Sequence, residues 1–448
     1  MATTDLTGVL GALRGRVLLP GTAGYDAARR VWNGVVDAHP VAIVHCAAAE
    51  DVQVAVRVAG MLRVPVSVRG GGHDWAGRAV RDGALLLDLS GLRGAAVDTT
   101  TQTAVVGGGI TARGLLTAAQ PYGLVPVTGT VGAVGLLGLT LAGGYGPLNG
   151  RYGLALDNLV DAEVVLADGS CVRAGDDPDL LWMLRGAGGA AGVVTSATYR
   201  VHPLTTVLAG MILFPFGQAE PVLTGYARIA ASAPDELTVM AGFFAGPDGE
   251  PMVFLYPTWS GALAAGEQVV AELTGLGTPL SADVAPLPYG DAIRMFDAQV
   301  VDGRHYAMRT RWLPGLTPDT LPVLVEAGRT LTSPHSLIAL HHFHGAAARV
   351  PSTATAFALR RDHLLVELVA AWDPGDGTPH REWADAQSQA LAPFALPGGY
   401  PNLLAADEVD RAIAAYGPNA PRVLALAERY DPDRMFAAGI PTLAGELS

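Results

Sequence analysis

The chain divides into two stretches with different patterns of hydrophobic and polar positions. Between about residues 40 and 203, short β-branched runs alternate with amphipathic stretches, which predicts strands at 41–46, 64–68, 84–90 and 103–109 and a helix at 50–63. From about residue 204 onward, longer apolar runs alternate with long helical patterns, and strands are predicted at 237–244, 251–259, 336–345 and 364–372. The second pattern is typical of an antiparallel sheet backed by helices. We therefore predict an α+β fold with two domains.

Composition narrows the possible partners. The 448 residues exceed the ~100–200 expected for one domain, and half of them are hydrophobic, which is enough for a large core. The net charge of −13 disfavours nucleic acids and anionic membranes as partners. All 29 basic residues are Arg, so no lysine is present to form a Schiff base or a P-loop phosphate site.

The cysteines and the apolar runs indicate a cellular location. Cys46 and Cys171 lie in apolar or strand-like surroundings, which predicts two buried free thiols in a reducing compartment. Residues 1–20 lack the pattern of a signal peptide, and apolar runs such as 134–141 are shorter than the ~20 residues that span a bilayer. We expect a soluble, cytoplasmic monomer or homodimer.

Four glycine-rich loops stand out along the first half of the chain. They occupy residues 69–74 (RGGGHD), 107–109, 143–146 and 186–192. Several such loops together predict a long ligand with phosphates that is held by backbone N–H groups. A Rossmann site is disfavoured because the loop at 107–112 lacks the third glycine of G-x-G-x-x-G. Within the first loop, His73 alone would be interpreted as a turn residue more readily than as a catalyst.

The loop at 69–77 (RGGGHDWAG) resembles the flavin-attachment loop of the vanillyl-alcohol oxidase superfamily, in its berberine bridge enzyme-like branch of the 6-hydroxy-D-nicotine oxidase type. Further segments match that family in the same order along the chain. They are residues 40–51, 87–90, 104–109, 143–158, 178–195, 400–402 and 416–436.

The resemblance implies a PCMH-type FAD-binding domain formed by residues 1–203 and 403–448, and a substrate domain formed by residues 204–402. It also implies FAD attached covalently through a ring nitrogen of His73, a bond that raises the redox potential of the flavin and fixes its position. The other cofactor-binding residues that it implies are Val68, Arg69, Gly70, Gly71, Gly72, Asp74, Gly77, Thr128, Gly129, Thr130, Gly132, Val134, Gly138, Gly143, Gly144, Tyr145, Gly146, Leu156, Asp157, Asn158, Gly192, Val193, Val194, Tyr400 and Asn402.

Two positions bear on how the flavin is held and reoxidised. Val131 stands where many relatives carry a second attachment cysteine, and a valine cannot form a thioether, so a single covalent bond is expected. Val134 matches the position where a small residue leaves space for dioxygen, which favours an oxidase; the alternative is that Val134 only fills the core.

The candidate catalytic residues are Val134 together with Tyr306, His344, Glu367 and Tyr400. Strand alternation puts His342 and His344 on one face and His341 on the other, so the first pair is expected to line a pocket or an edge. A metal held by these histidines is a less favoured alternative, and no metal site is expected. Glu367 is a lone charge in an apolar strand and is a candidate base; the alternatives are a side chain that faces an edge or one that pairs with an arginine. Tyr400 is expected to orient or deprotonate substrate, or only to contact the cofactor.

The function expected from these features is removal of a hydride from a C–H bond next to nitrogen or oxygen of a small organic or secondary-metabolite substrate. Dioxygen would then take the electrons and form hydrogen peroxide. The alternatives are a dehydrogenase with another acceptor and a flavin-binding protein without catalytic activity.

Overall fold

The computed structural model describes residues 15–436, and its first sheet confirms the strand–helix pattern predicted for the N-terminal stretch. Strands β1 (Val17–Leu18), β2 (Ala42–His45), β3 (Val66–Arg69) and β4 (Leu85–Asp88) form a sheet in the order β1-β2-β4-β3. Strands β2 and β3 both pair with β4 in parallel. A crossover is therefore needed between β2 and β3, and the Ala49–Leu62 helix supplies it.

The second sheet continues this half of the molecule. Its main path runs β5-β6-β10-β8-β9, and β7 pairs with the far end of β10. The Asp168-Gly169 pair forms the predicted turn between β8 and β9, where Gly169 has a φ of 77°. The strands are β5 (Ala95–Asp98), β6 (Thr103–Gly107), β7 (Leu124–Pro126), β8 (Leu159–Val165), β9 (Cys171–Arg173) and β10 (Val193–Pro203).

The third sheet is antiparallel, as the second hydrophobic pattern predicts. Its strand order is β14-β11-β13-β12-β16-β17-β15. Residues such as Leu340 and Val366 join a core formed with the helices on one face, whereas Ala339 belongs to a core on the opposite face. The strands are β11 (Thr206–Pro215), β12 (Leu237–Ala245), β13 (Pro251–Trp259), β14 (Ser281–Pro288), β15 (His305–Leu313), β16 (Leu337–Phe343) and β17 (His363–Trp372).

Helices flank all three sheets. In addition to Ala49–Leu62, the described α-helices are Tyr25–Ala28, Ala112–Ala119, Leu136–Thr140, Asn149–Tyr152, Pro178–Ala187, Ala219–Ala230, Leu263–Thr274, Tyr289–Arg294, Thr320–Arg329, Ala346–Arg349, Thr378–Leu391, Val409–Ala415 and Ala420–Tyr430. Among residues 15–436, no helix is long and apolar enough to cross a membrane. Most of the N-terminal stretch that bears on a signal peptide lies outside the described residues.

The end of the described chain returns to the first sheet. Val66 N–H donates to the carbonyl of Met435 at 3.0 Å, and Met435 and Phe436 are buried in the core of β2–β4. The described end of the chain therefore packs with the first sheet, and the domain bounds of 1–203 with 403–448 and of 204–402 stay a prediction.

The two cysteines differ in their exposure, which corrects one expectation. Cys46 is buried beside the first sheet, as predicted. Cys171 is exposed instead, because it lies on β9, the short strand at the edge of the second sheet.

Candidate active site

A cavity of about 350 Å³ lies between the glycine loops of the first half and the third sheet. One wall comes from residues 66–74, 129–142 and 189–194, and the other wall includes His341 and Glu367 from the third sheet. The lining also includes residues 400–403, Phe436, Arg78, Ala79, Leu89, Gly108 and Tyr145. The cavity thus joins segments from both predicted domains.

The loop after β3 presents backbone N–H groups that have no acceptor. Among the described residues, the N–H groups of 70–74 donate no hydrogen bond, although each is a strong donor that needs a partner when it is buried. Consecutive N–H groups of this kind bind anions such as phosphates. Arg69 does not compete for such an anion, because its guanidinium pairs with Asp88 (Nη2–Oδ2 2.8 Å).

This loop packs backbone to backbone against the turn that contains Val134. A Cβ atom built on Gly71 would lie 2.3 Å from the nitrogen of Gly135, and one on Gly135 would lie 2.5 Å from the nitrogen of Gly71. Only glycine at both positions permits this contact. Val134 therefore lies in the cavity wall beside the attachment loop.

His73 lines the cavity with its ring stacked on Trp32 at a centroid distance of 5.3 Å. Burial lowers the pKa of His73, and the charges of Asp302 and Asp297 oppose that shift in part. The imidazole is therefore neutral at neutral pH, with a nitrogen lone pair available. Asp297 also accepts from Gly132 N–H at 2.9 Å and pairs with Arg113, so the loop after the Tyr289–Arg294 helix is fastened to the same glycine segment.

A carboxylate and an imidazole face the cavity from neighbouring strands. Glu367 Oε1 on β17 lies 3.3 Å from His341 Nε2 on β16, and both side chains are largely buried. Both residues line the cavity. Glu367 was predicted from its isolation in an apolar strand, and its partner is this histidine rather than an arginine. His341 was missed, although the alternation that puts Leu340 in the helix-covered core also predicts it on the opposite face.

Tyr400 enters the cavity with its hydroxyl oxygen held by two donors. Gly144 N–H donates to Tyr400 Oη at 2.7 Å, and Asn402 Nδ2 donates at 2.9 Å. Asn402 Nδ2 also donates to the carbonyl of Leu139 at 3.0 Å. Gly143 must lack a side chain here, since a Cβ would lie 2.5 Å from the Tyr400 ring. Burial raises the pKa of Tyr400 to about 12, so at neutral pH its hydroxyl keeps its proton.

Comparison with known proteins agrees with this geometry. Residues 40–175 match the model of an FAD binding domain family. The FAD-linked oxidoreductase aurO of Gibberella zeae is 30% identical over 446 residues, an alignment that covers 97% of this chain and 86% of that protein. The chain belongs to the FAD-linked oxidoreductases. It is therefore an oxidoreductase enzyme.

Two further relatives of this FAD-linked oxidoreductase are informative. (R)-6-hydroxynicotine oxidase of Paenarthrobacter nicotinovorans is 35% identical over 294 residues, which cover 63% of each chain. The solved structure of 6-hydroxy-D-nicotine oxidase from Arthrobacter nicotinovorans is 28% identical, with a TM-score of 0.86 over 95% of this chain and 97% of that one. Berberine bridge enzyme bound to (S)-reticuline, at 20% identity and a TM-score of 0.87, shares the fold.

Two predicted catalytic residues of this FAD-linked oxidoreductase are not brought to the cavity. Tyr306 stacks behind Trp32 at 4.0 Å, and its hydroxyl bonds the backbone of Val301, so it supports the ring that contacts His73. His344 lies beyond the end of β16, stacked on His342 at 4.0 Å. The prediction that these two histidines share a face is confirmed, but the hollow beside His344 is a separate one near Asp235.

Burial lowers the pKa of both His342 and His344. Both rings are therefore neutral at neutral pH. Within residues 15–436, no group of three or more His, Cys, Asp or Glu side chains is arranged to hold a metal ion.

The residues predicted to bind the cofactor divide into those that line the cavity and those behind it. The predicted residues that line it are Val68, Gly70, Gly71, Gly72, His73, Asp74, Gly129, Thr130, Val134, Gly138, Tyr145, Gly192, Val193, Val194, Tyr400 and Asn402. Val131, where a second attachment cysteine is missing, lines the cavity as well. The residues that do not line it are Arg69, Gly77, Thr128, Gly132, Gly143, Gly144, Gly146, Leu156, Asp157 and Asn158.

Several of the residues behind the cavity have structural contacts of their own. Asp157 pairs with Arg360 at 2.8 Å, and the Asn158 Oδ1 atom lies 2.7 Å from His202 Nε2. Tyr145 itself lines the cavity, and its hydroxyl donates to Nε2 of His363 behind the wall at 2.7 Å, since His363 Nδ1 donates to the carbonyl of Arg361.

Proposed function

We propose that this FAD-linked oxidoreductase holds FAD covalently through His73 and is an oxidase of small amines or alcohols, with dioxygen as the electron acceptor. One observation carries the proposal. A single cavity collects His73, a row of unpaired backbone N–H groups, the Glu367–His341 pair and the Tyr400 hydroxyl.

The lining fits the chemistry of FAD. The pyrophosphate is an anion, and the N–H groups of residues 70–74 offer the donors for it. The lining contains one arginine among the described residues, Arg78, and its guanidinium is already paired with Asp74. His73 would hold the flavin through a bond from a ring nitrogen to the C8 methyl carbon. Forming that bond would release two protons, one from the imidazole N–H and one from the methyl C–H, together with two electrons that dioxygen would accept. Val131 offers no second attachment. When bound, FAD would supply the acceptor for the substrate hydride.

Glu367 and His341 on the third sheet are the residues placed to remove a proton from the substrate. Glu367 would accept the proton of the substrate N–H or O–H group, and the His341 ring lies beside it, with Nε2 3.3 Å from Glu367 Oε1. The Tyr400 oxygen already accepts two hydrogen bonds, so its own proton remains free to be donated towards a substrate atom. This arrangement makes Tyr400 an orienting donor rather than a base.

The expected stoichiometry follows from these roles. The substrate loses a hydride and a proton, and dioxygen takes up two electrons and two protons to give hydrogen peroxide. Val134 in the wall beside the attachment loop is small enough to leave dioxygen access, which favours an oxidase over a dehydrogenase. A relative whose name is (R)-6-hydroxynicotine oxidase supports an amine as the first substrate class to test.

The experiment begins with the purified protein and its yellow chromophore. Acid precipitation is expected to leave the flavin in the pellet of the wild type and to release it from His73→Ala. A panel of small amines and alcohols, including (R)-6-hydroxynicotine, is then screened for peroxide under air. Release of flavin from the wild type would contradict the covalent bond. Rapid reduction of the flavin by a substrate without reoxidation by air would show a dehydrogenase instead.

A further inference from the structure

Arg78 occupies a position in the cavity wall between two loops that are far apart in sequence. Its Nε donates to Asp74 Oδ1 at 3.0 Å. Its Nη1 donates to the carbonyl of Pro401 at 3.0 Å, and its Nη2 donates to the carbonyl of Asn402 at 2.7 Å. A single half-buried guanidinium thus joins the attachment loop to a segment more than 300 residues later in the chain.

Both loops carry groups that the proposed reaction uses. Asp74 directly follows His73, and Pro401 directly follows Tyr400. Asn402, whose carbonyl Arg78 holds, uses its amide to donate to Tyr400 Oη at 2.9 Å. His73 is thus connected to the Tyr400 hydroxyl through Asp74, Arg78 and Asn402, and each hydrogen bond along this path is about 3 Å or shorter.

We propose that Arg78 is a positioning residue that fixes the Tyr400 hydroxyl relative to the flavin-bearing His73, an inference that rests on the proposed function. The planar guanidinium directs separate donors at one carboxylate and two carbonyls, which the compact ammonium of lysine does not reproduce. Asp74 neutralises the charge, so the role is geometric. Loosening this contact displaces the attachment loop and the tyrosine loop relative to each other.

The first test uses flavin retention and needs no substrate. Arg78→Lys is compared with Arg81→Lys, because Arg81 is also half-buried and makes no ion pair among the described residues. After equal expression, acid precipitation is expected to leave less than half of the wild-type covalent flavin fraction in Arg78→Lys and an unchanged fraction in Arg81→Lys. Equal retention in the two variants would overturn the proposal.

The second test separates positioning from general stability. Arg78→Lys is combined with Tyr400→Phe, and anaerobic flavin reduction is followed with the most reactive compound of the amine and alcohol panel. We expect a rate loss of about tenfold when Tyr400 is present and less than twofold when it is replaced. An equal loss in both backgrounds would overturn the positioning role. If the wild type itself releases flavin in acid, the covalent proposal fails. The comparison of reduction rates with and without Tyr400 uses flavin that is bound in either way, so it still decides the role of Arg78.

Discussion

The two walls of the cavity differ in the atoms that they present, main-chain atoms on one side and side chains on the other. The wall at residues 70–74 presents unpaired backbone N–H groups, and its close contacts with residues 129–135 are between the main chains of Gly71 and Gly135. The wall on the third sheet presents side chains, chiefly Glu367 and His341. The first wall suits a ligand shared by a whole family, because main-chain donors do not change with side-chain identity. The second wall is open to substitution, so it sets the chemistry and the choice of substrate.

This difference leads to different sensitivities. Substitution of a first-wall glycine that packs directly against another main chain, such as Gly71, is expected to disturb folding and flavin incorporation together. A substitution in the second wall is expected to alter the rate while the flavin stays bound. Four measurements test this division.

The largest effect is expected for Glu367→Gln. Loss of the carboxylate removes the proposed base, and flavin reduction by a reactive substrate should slow by roughly 10²–10⁴-fold, with the covalent flavin fraction unchanged. Stopped-flow absorbance measures the rate, and Glu382→Gln on an exposed helix position is the control. A reduction rate within about twofold of wild type would remove Glu367 from the mechanism.

Gly71→Ala tests the backbone wall. The new Cβ would lie 2.3 Å from Gly135 N, so the two loops must separate, at a cost of about 1–3 kcal/mol in the free energy of unfolding. Gly70→Ala is the matched control, since the nearest atom to its Cβ, the oxygen of Gly108, is 3.5 Å away. Denaturant unfolding and acid precipitation measure stability and flavin retention. Equal behaviour of the two variants would contradict the proposed packing constraint.

His341→Gln and His344→Gln test which face of β16 is used. Loss of the His341 ring removes the ring nitrogen that lies 3.3 Å from the proposed base, and flavin reduction is expected to slow by roughly tenfold. His344 lies outside the cavity, so its substitution should leave that rate within about twofold. A larger effect for His344→Gln than for His341→Gln would reverse the assignment.

The last test concerns the pH dependence of stability and His363, which accepts a hydrogen bond from Tyr145. Burial lowers the pKa of His363 to about 3 from its ordinary value of 6.5. Below pH 6.5 the unfolded chain binds a proton that the folded protein does not, so stability falls as pH falls towards 3, by at most about 1.4 kcal/mol per pH unit. His363→Gln should reduce that slope, whereas His39→Gln at an exposed position should not. An unchanged slope in His363→Gln would show that another group dominates.

Much of the fold follows from local patterns. Periodicity correctly predicts the Ala49–Leu62 helix and strands β2, β12, β13 and β17. An element that buries one face has apolar residues at a regular spacing in the sequence. The glycine loops were equally visible, since close backbone contacts and left-handed φ values restrict the residue type. The exposure of Cys171 cannot be predicted from the local sequence, because it depends on whether another strand pairs with β9, and β9 lies at the edge of its sheet.

The sequence by itself determined the two-part architecture, the glycine-rich loop at 69–77 and the FAD-linked family, because each is encoded by neighbouring residues. The tertiary structure alone decided which side chains meet. Whether His341 or His344 faces Glu367 depends on which side of the third sheet the helices cover. The contact of Arg78 with Pro401 and Asn402 joins residues that no local pattern relates. Side-chain constellations of this kind arise from long-range strand order and loop packing, which short-range periodicity does not contain.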